Sequence, residues 1–439
     1  MNEKNTHKKL IPELRFPEFQ NDGEWVVDKF SSFITLYRGS SPRPINQFLT
    51  KKKNGVNWIK IGDTQNAKNF KISRVEEKIT IEGSKKSRKV TKGELILANS
   101  MSYGATYELE IDGCIYDGWF VLREYENSFN KQFLLQLLNS NILQIQYKRL
   151  AAGGIVKNIS SDIVYNTLLP KPSKQEQQKI AAFLSNLDEL IAAHKQKLAL
   201  LKQHKKGLMQ KLFPQEGEKV PEWRFPEFQN DGEWVEKRLG DIYTFKSTNS
   251  FSRNKLNYDK GYIKNIHYGD IHTKFSTLFD ITKENVPFVN DDISIERINH
   301  DSFCVEGDIV IADASEDLED VGKSIEIVNL NNEKVLSGLH TILARQIEYK
   351  LIVGFGGYLF KSNFIRNQIK NEAQGAKVLG ISKGRISKIN ICYPQNKKEQ
   401  QKIAAFLSNL DELITAQAEK IEQLERHKKG LMQRMFPIV

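Results

Sequence analysis

The stretch EQQKIAAFLSNLDELI occupies residues 176–191 and returns unchanged at residues 399–414. Its apolar residues recur at spacings of three, four and seven, which is the pattern of one apolar stripe along a helix. In both copies the stripe continues to a phenylalanine followed by proline, at Phe213 and at Phe436. At about 1.5 Å per residue, about 38 residues form a rod of roughly 55–60 Å. The sequence therefore predicts two long helices, each too apolar on one side to remain unpaired in water.

Two further stretches are repeated around these helices. RFPEFQNDGEWV at residues 15–26 returns at 224–235, and HKKGLMQ at 204–210 returns at 427–433. The long segments between the repeats show no visible similarity to each other. A repeated frame thus carries two different modules, an arrangement suited to reading two different things at a set separation. The predicted segments are a frame segment at 1–27, a first module at 28–172, a central helix at 173–213, a second frame segment at 214–235, a second module at 236–395 and a C-terminal helix at 396–436.

Both helices have a start signal. Ser173 and Glu176 have the spacing of a capping box, in which the serine accepts the third backbone N–H and the glutamate reaches back. Asn396 and Glu399 repeat this spacing. A duplicated unit implies pseudo-twofold symmetry, so the two helices are expected to pack antiparallel with a module at each end. The C-terminus is then expected beside residues 12–16, closing a ring.

The modules have the patterns of mixed α/β domains. Residues 56–61 and 94–98 are short apolar runs typical of strands, and 133–138 is typical of a helix. Residues 308–312 parallel 94–98, and 375–382 parallel 153–160, so we expect a shared fold. The predicted class is α+β: two mixed α/β modules separated by two long, antiparallel coiled-coil helices with internal pseudo-twofold symmetry. Trp25 and Trp234 recur in the frame and are interpreted as packing residues.

Charge indicates a polyanionic partner for one module more than for the other. The 439 residues carry a net charge of +11, enough length for two or three domains. The first module has 22 Lys+Arg against 13 Asp+Glu, a net of +9, whereas the second has 21 against 21, a net of 0. If both modules bind nucleic acid, the second must use a local patch.

Several classes of protein are disfavoured. No apolar run approaches the roughly 20 residues that span a bilayer, and the first nine residues lead into no apolar core of a secretory signal. Cys114, Cys304 and Cys392 lie far apart, which favours a reducing cytoplasm without a disulfide framework or a zinc site.

Catalytic motifs are missing from the sequence. Residues 354–357 form a glycine-rich stretch without the acidic partner of a nucleotide-binding loop, and Asp317 stands where a P-loop before Lys323 needs glycine. The Asn-Pro-Pro-aromatic tetrapeptide of adenine methyltransferases does not occur. Acidic pairs such as Asp291-Asp292 lack the nearby lysine of common nuclease cores.

The two phrases that open the helices, PKPSKQEQQKI at 170–180 and YPQNKKEQQKI at 393–403, carry a family resemblance. In this double arrangement the chain resembles, over nearly all its length, the specificity subunit of type I restriction–modification enzymes. The resemblance implies a cytoplasmic, non-catalytic subunit without its own cofactor that reads a bipartite, asymmetric DNA target. The helices would act as a ruler, since about 55–60 Å is a turn and a half of duplex at roughly 34–36 Å per turn.

The resemblance also implies partners. Two modification subunits would bring S-adenosylmethionine and dock on the helical frame. Restriction subunits would bring ATP and Mg²⁺, translocate DNA and cut it. Base-reading residues vary with the target in this family, so only loop positions carry over: 99–104 with 153–160, and 313–323 with 375–382. The acidic run 316–320 is poorly suited to phosphate contact.

Basic and polar side chains of the two modules are the candidates for DNA contact. The alternative is that these side chains are ordinary surface, turn or core residues that do not contact DNA. A histidine such as His267 is more often of this ordinary kind. The lysines of the long helices fit the solvated face of a coiled coil. The candidates are Lys85, Lys86, Arg88, Lys89, Asn99, Ser100, Tyr103, Lys157 and Asn158 in the first module, with Lys51 to Lys53 as a further basic run, and Arg253, Lys264, His267, Lys377 and Arg385 in the second.

Two other classes remain open. A duplicated, self-contained nuclease or methyltransferase would bind S-adenosylmethionine or cut DNA alone, which the missing motifs disfavour. A coiled-coil scaffold would assemble partners without reading sequence, but would not need two unlike modules. Deletion of one module separates the scaffold from a reader of a two-part site.

Overall fold

The computed structural model describes residues 10–100, 104–151, 158–294 and 298–438. Contacts divide the chain into two compact units, Met1–Leu198 with Gln417–Val439, and Ala199–Ala416. Each unit therefore consists of one module and one part of each long helix. The boundaries fall inside the helices.

The first module and the central helix contain twelve described strands and five helices. The strands are β1 (Val26–Lys29), β2 (Thr35–Arg38), β3 (Leu49–Thr50), β4 (Val56–Ile59), β5 (Lys71–Ile72), β6 (Glu77–Ile79), β7 (Arg88–Val90), β8 (Leu95–Ala98), β9 (Thr106–Leu109), β10 (Gly113–Ile115), β11 (Trp119–Arg123) and β12 (Leu168–Lys171). The helices are α1 (Ile81–Lys85), α2 (Lys131–Leu138), α3 (Asn141–Ala151), α4 (Ser161–Tyr165) and the long α5 (Lys174–Leu212).

The second module and the C-terminal helix follow the same plan. The helices are α6 (Leu239–Ile242), α7 (Tyr268–Thr273), α8 (Phe355–Leu359), α9 (Asn363–Glu372), α10 (Lys383–Ile386) and the long α11 (Lys397–Met435). The strands are β13 (Val235–Arg238), β14 (Tyr243–Lys246), β15 (Leu256–Asn257), β16 (Lys264–Ile266), β17 (Leu278–Asp280), β18 (Phe288–Val289), β19 (Ile309–Ala312), β20 (Ala314–Ser315), β21 (Ser324–Asn329), β22 (Val335–Ser337), β23 (Thr341–Gln346), β24 (Leu379–Gly380) and β25 (Asn390–Tyr393). Short 3-10 helices span Pro17–Phe19, Phe30–Ser32, Ile45–Gln47, Ile61–Asn66, Pro226–Phe228, Arg253–Lys255 and His300–Ser302.

Each module has two main sheets. The first sheet has the order β2-β11-β8-β9-β5 in the first module and β14-β23-β19-β21-β17 in the second. The second sheet is β3-β6-β4-β10-β7 in the first module and β15-β18-β16-β22 in the second. Strand pairs β1-β12 and β13-β25 bring the two ends of each module together. The predicted common fold of the modules is therefore confirmed.

The registers of the first sheets agree residue by residue. Leu95 of β8 faces Leu122 and Glu108, and Ile309 of β19 faces Ala344 and Glu326. Both central strands are buried along their whole length, as expected for continuous apolar runs covered on both faces. The ladders thus make Glu108 and Glu326 equivalent positions.

The two long helices begin and end within one residue of the predicted bounds. In the first unit the partners run in opposite directions, since Asp188 pairs with Lys428 at 2.6 Å and Lys195 pairs with Glu425 at 2.6 Å. In the second unit, Lys205 pairs with Asp411 at 2.5 Å, which repeats the Lys428–Asp188 contact. The helix segments of the first unit therefore pack antiparallel, as predicted.

The repeated frame segment is fastened to the start of its helix by a buried carboxylate. The Arg15 guanidinium donates to both oxygens of Glu176 at 2.8 Å, and the Trp25 indole donates to the same carboxylate at 3.3 Å. Arg224 and Trp234 repeat these bonds to Glu399 at 2.7 and 3.3 Å. This pairing raises the pKa of each arginine.

One part of the predicted capping box is wrong. The Ser173 hydroxyl accepts from the backbone N–H of Glu176 at 3.2 Å, as expected. The Glu176 side chain, however, does not reach back to the cap; it takes Arg15 and Trp25 instead. A buried carboxylate favours a charged partner with two donors over a single backbone N–H. The tryptophans of the frame are packing residues, as interpreted.

The end of each long helix is hydrogen-bonded to a frame segment, as the repeat predicts. The backbone N–H of Leu14 donates to the carbonyl of Arg434 at 2.9 Å, and that of Trp223 donates to the carbonyl of Lys211 at 2.9 Å. Within the first unit, the end of α11 therefore lies beside the first frame segment.

Within the described ranges, no helix has the length and apolar character needed to cross a membrane. In the same part of the chain, no group of three His, Cys, Asp or Glu side chains is placed to hold a metal ion. The three cysteines are buried free thiols.

Candidate nucleic-acid interface

The basic run of the first module lines an open cleft. Helix α1 is capped by Thr80 and turns the chain so that the run enters β7. Arg88 lies over the Tyr37 ring at 5.4 Å, and Lys86 lies over the Phe48 ring at 4.9 Å. The aromatic rings support the cations while Lys85, Lys86 and Lys89 stay exposed. The cleft is lined by Ser40, Lys85, Lys86, Ser87, Arg88, Lys89 and Arg123.

This cleft has the chemistry of an anion-binding surface. Its lining carries five cationic side chains and no carboxylate. Arg123 is held from outside the lining by Glu94 at 2.7 Å. The structure thus brings together four of the sequence-predicted residues and adds Arg123. Sequence spacing did not reveal Arg123 because it comes from β11 of the first sheet, whereas the basic run leads into β7 of the second. Lys51, Lys52 and Lys53 are also exposed, on the loop between β3 and β4.

Two loops of the first module are joined at the end of the central strand. Ser100, two residues after the end of β8, forms an antiparallel bridge with Asn158. In the second module, Ala314 and Ser315 of β20 pair with Gly380 and Leu379 of β24. The two loops that the family resemblance singled out are therefore joined in both modules. Tyr103 and Lys157 lie outside the described residues.

Asn99 occupies an interior position within this region. Its side chain is buried and donates to the Asp117 carbonyl at 2.8 Å. Its backbone carbonyl accepts from Ile159 at 2.7 Å. These bonds join the loops to each other, so Asn99 serves the loop architecture and its amide is not turned toward a ligand.

Two candidates of the second module have structural partners. Lys264 pairs with Glu333 at 2.7 Å, and its side chain is only 15% exposed. His267 caps α7 by accepting from Gly269 at 3.1 Å. Burial, together with the neighbouring Arg253, lowers the pKa of His267. The ordinary reading of His267 as a satisfied core histidine therefore describes this residue well.

Two further candidates lie in and just after the loop 375–382 of the second module. Lys377 is exposed just before β24. Arg385 follows in α10 and pairs with Glu372 at 3.0 Å. The acidic run 316–320 is partly neutralised, because Glu319 pairs with Lys370 at 2.6 Å and Asp320 with Lys323 at 3.6 Å.

Arg253 belongs to a cation group that the sequence did not reveal. Its guanidinium donates to both oxygens of Asp270, at 2.7 and 3.0 Å. Lys274 contacts the same carboxylate at 3.0 Å, and both cations donate to the Tyr258 hydroxyl, at 3.3 and 3.0 Å. Burial acts to raise the pKa of Asp270, but the hydrogen bonds from Arg253 and Lys274 bring it below its usual value. The four-residue spacing of Asp270 and Lys274 on a helix was the available signal.

The frame presents the same side chains to solvent in both copies. Within the repeated helix stretch, residues 182, 186, 189 and 190 are exposed in the first copy, as are residues 405, 409, 412 and 413 in the second. Leu190 and Leu413 are 45% and 55% exposed. Packing explains identity at buried positions but not at these exposed ones.

The chain matches the family described as the type I restriction modification DNA specificity domain over residues 23–203 and 231–426. These ranges cover most of the chain, so it belongs to this family. Two curated relatives from Methanocaldococcus jannaschii are type I restriction enzyme specificity subunits. The MjaX subunit is 25% identical over 71% of this chain and 68% of its own length. The MjaVIII subunit is 27% identical over 67% of this chain and 66% of its own.

Solved structures share the fold. An S subunit of a type I restriction–modification system from M. genitalium has a TM-score of 0.54 at 15% identity, covering 97% of this chain and 99% of that one. A chain from a structure on complex assembly of the type I R-M system has a TM-score of 0.59 at 18% identity, covering 94% and 97%. The predicted fold class is confirmed. The chain is a type I specificity subunit, a non-catalytic class.

Proposed function

We propose that this chain reads a bipartite, asymmetric DNA target and directs adenine methylation or restriction by partner subunits. The observation that carries the proposal is the contrast between frame and modules. The frame repeats its buried contacts atom for atom, at Glu176 and at Glu399. The modules share a fold, but their exposed loops differ in length and charge. Such a molecule holds two different DNA-reading modules on two copies of the same structural frame.

In the first module, DNA phosphates would occupy the cleft of Lys85, Lys86, Arg88 and Lys89. Cations near the duplex release condensed counterions, so this contact is strong and independent of sequence. Phosphate contacts of this kind position a module, while base edges specify the target. The joined loops around Ser100 and Asn158 are the proposed readers, since hydroxyl and amide groups match base edges in the major groove.

In the second module, the corresponding readers are the loops joined at β20 and β24. Lys377 lies in the loop 375–382 and Arg385 lies just after it, and both would contact bases or phosphates. The acidic run beside it suits contact with a cytosine amino group better than phosphate contact. Two different sets of reading groups support an asymmetric target.

The frame is the proposed docking surface for two copies of one modification subunit. Support comes from the identical exposed residues of the two helix copies, which a single partner type would contact twice. The apolar member of this shared surface is Leu190 in the first copy and Leu413 in the second, 45% and 55% exposed. Apolar residues within a polar rim are the usual composition of a protein interface. The antiparallel helix segments would then also set the distance between the half-sites.

The chemistry would belong to the partners. One modification subunit would face each half-site, flip out its adenine and methylate it with S-adenosylmethionine. Restriction subunits, with ATP and Mg²⁺, would translocate and cut DNA whose target lacks methylation. The chain itself would supply position and sequence choice, in the cytoplasm with its partners.

Methylome sequencing of a methylation-free host tests this function. The host expresses the chain with its methyltransferase subunit, and a matched culture omits the chain. We expect methyl-adenine at one interrupted, asymmetric motif only when the chain is present. A motif that persists without the chain, or no motif at all, would contradict the proposal and favour the scaffold.

A further inference from the structure

The second sheets of the two modules place a buried aspartate at the same position. Ile59 of β4 pairs in parallel with Ile115, and Ile266 of β16 pairs in parallel with Ser337. Asp63 follows Ile59 by four residues, and Asp270 follows Ile266 by four residues. Both carboxylates are buried, so each needs hydrogen-bond donors.

The two aspartates accept hydrogen bonds from different kinds of donor. Asp63 accepts from the backbone N–H groups of Lys60 and Glu76, at 2.7 and 3.2 Å. Asp270 instead binds the side chains of Arg253 and Lys274. One buried negative charge thus fixes two cations whose side chains are 44% and 51% exposed. The group has a net charge of +1 and faces solvent.

Tyr258 completes this group. Its hydroxyl oxygen accepts from Arg253 and from Lys274. Both partners are donors only, so the phenolic proton takes no part in these bonds and is left for a third partner. The tyrosine is 42% exposed. Two cations and a polarised hydroxyl therefore present donors on one solvent-facing surface.

We propose that Arg253, Lys274 and Tyr258 form the phosphate-contacting site of the second module, held in place by Asp270. This inference rests on the proposed function and adds to it the residues that grip the DNA backbone. It answers how a module with 21 basic and 21 acidic residues can hold a polyanion, namely through a local patch. Arginine and lysine fixed by a buried carboxylate lose little side-chain entropy on binding.

The first module supports the same location with other residues. Its loop between β3 and β4 carries exposed Lys51, Lys52 and Lys53. In the second module the loop between β15 and β16 begins with Tyr258, Asp259 and Lys260. Where the first module has three cations on the loop, the second has cations supplied by the neighbouring elements. Both solutions place positive charge beside the first strands of the second sheet.

Binding of the assembled complex to a duplex carrying the methylated motif tests the site, measured across a salt series. Lys274→Ala should make the slope of log K against log salt shallower by about 0.9, the value for one lost phosphate contact. The loss should be equal on a scrambled duplex, because phosphates are the same in every sequence. Tyr258→Phe should weaken binding without changing the slope, since it removes a donor but no charge.

Two matched variants separate contact from stability. Lys283→Ala removes a 74% exposed lysine of the same module that pairs with Asp280, and it should leave the slope unchanged. Asp259→Lys, which places a lysine on the loop as in the first module, should restore the slope of Lys274→Ala. Thermal melting of each variant shows whether the fold is intact.

Three results would overturn the site: an unchanged slope in a folded Lys274→Ala complex, no restoration by Asp259→Lys, or a loss confined to the cognate duplex. If the wild-type complex binds the motif no better than the scrambled duplex, the proposed function fails instead. The salt slopes on the scrambled duplex would still decide the phosphate site.

Discussion

Buried carboxylates have the same partners in the two copies of the frame, whereas some equivalent carboxylates of the two modules have different partners. In the frame, Glu176 and Glu399 each meet an arginine and a tryptophan at the same distances. In the modules, Glu108 pairs with Lys131 at 2.5 Å, while the equivalent Glu326 accepts from the backbone of Gly357 at 2.6 Å. The two frame copies share these atomic contacts, whereas the modules differ at this core position.

The module aspartates differ in the opposite direction. Asp63 of the first module relies on backbone donors, whereas Asp270 of the second holds two cations. At these two positions, each module therefore has one carboxylate with a cation and one with backbone partners, in exchanged order. The fold requires a satisfied carboxylate at each position but does not prescribe the donor, which leaves the charge of each module free to change with its target.

The largest expected effect is the loss of the frame contact. Arg15→Ala and Arg224→Ala each leave a buried carboxylate without its cation, which costs about 3–5 kcal/mol of unfolding free energy. Because the contacts are the same, the two losses should agree when each unit is followed by hydrogen exchange during urea unfolding. As a control, Lys179→Ala removes an exposed pair with Glu18 and should cost under about 1 kcal/mol. Clearly unequal losses would show that the frame copies are not equivalent.

The next effect is the pH dependence of the second module. Burial raises the pKa of Glu326 to about 8, so this carboxyl is protonated in the folded protein at neutral pH. Its unfolded value is about 4.5, so stability is fully present below that pH and is lost as pH rises through the folded pKa. One pKa unit is about 1.4 kcal/mol, so the loss reaches a few kcal/mol. Thermal unfolding from about pH 5 to about pH 9 measures it.

Two variants sharpen this prediction. Glu326→Gln should remove this pH-dependent loss, so that the variant matches the wild type below about pH 5 and is more stable than the wild type at neutral pH. Val353 lies beside Gly307 as Lys131 lies beside Gly93 in the first module. Val353→Lys should therefore supply a cation, lower the pKa of Glu326 and flatten the profile. A loss of stability with rising pH that persists in Glu326→Gln would belong to another titratable group.

The smallest effect concerns the first module in acid. Burial opposes ionisation of Glu108, but the hydrogen bonds from Lys131 and Gln132 lower its pKa overall. Its stabilisation is present above the unfolded pKa and is lost as pH falls through the folded pKa. Glu108→Gln should cost about 1–2 kcal/mol at neutral pH and weaken the acid dependence of this module. Equal pH profiles for the two modules would contradict the comparison.

The repeated segments made much of the fold predictable. Periodicity placed α5 and α11 within a residue at each end, and the matching runs at 94–98 and 308–312 predicted a shared module fold. Partners far apart in sequence were not predictable. Glu176 satisfied a local capping pattern, yet Arg15, 161 residues away, takes its carboxylate.

The candidate site shows the same limit. A basic run is visible in sequence, so Lys85 to Lys89 were found, but Arg123 joins them from β11, a strand of the other sheet. His267 was a candidate from the sequence, and its role as a cap depends on the start of α7 at the next residue. The Arg253–Asp270 pair joins elements that only the tertiary fold brings together, so no spacing rule could have found it.

The central claim is that each module reads its own half of the target. Replacing residues 236–395 with a second copy of 28–172 keeps both frame copies and makes the two readers identical. Methylome sequencing of a host that expresses this variant with the methyltransferase subunit tests the claim directly. We predict that the asymmetric motif is replaced by a symmetric one, with the first half-site and its inverted repeat. An unchanged motif, or one that retains the second half-site, would contradict the account.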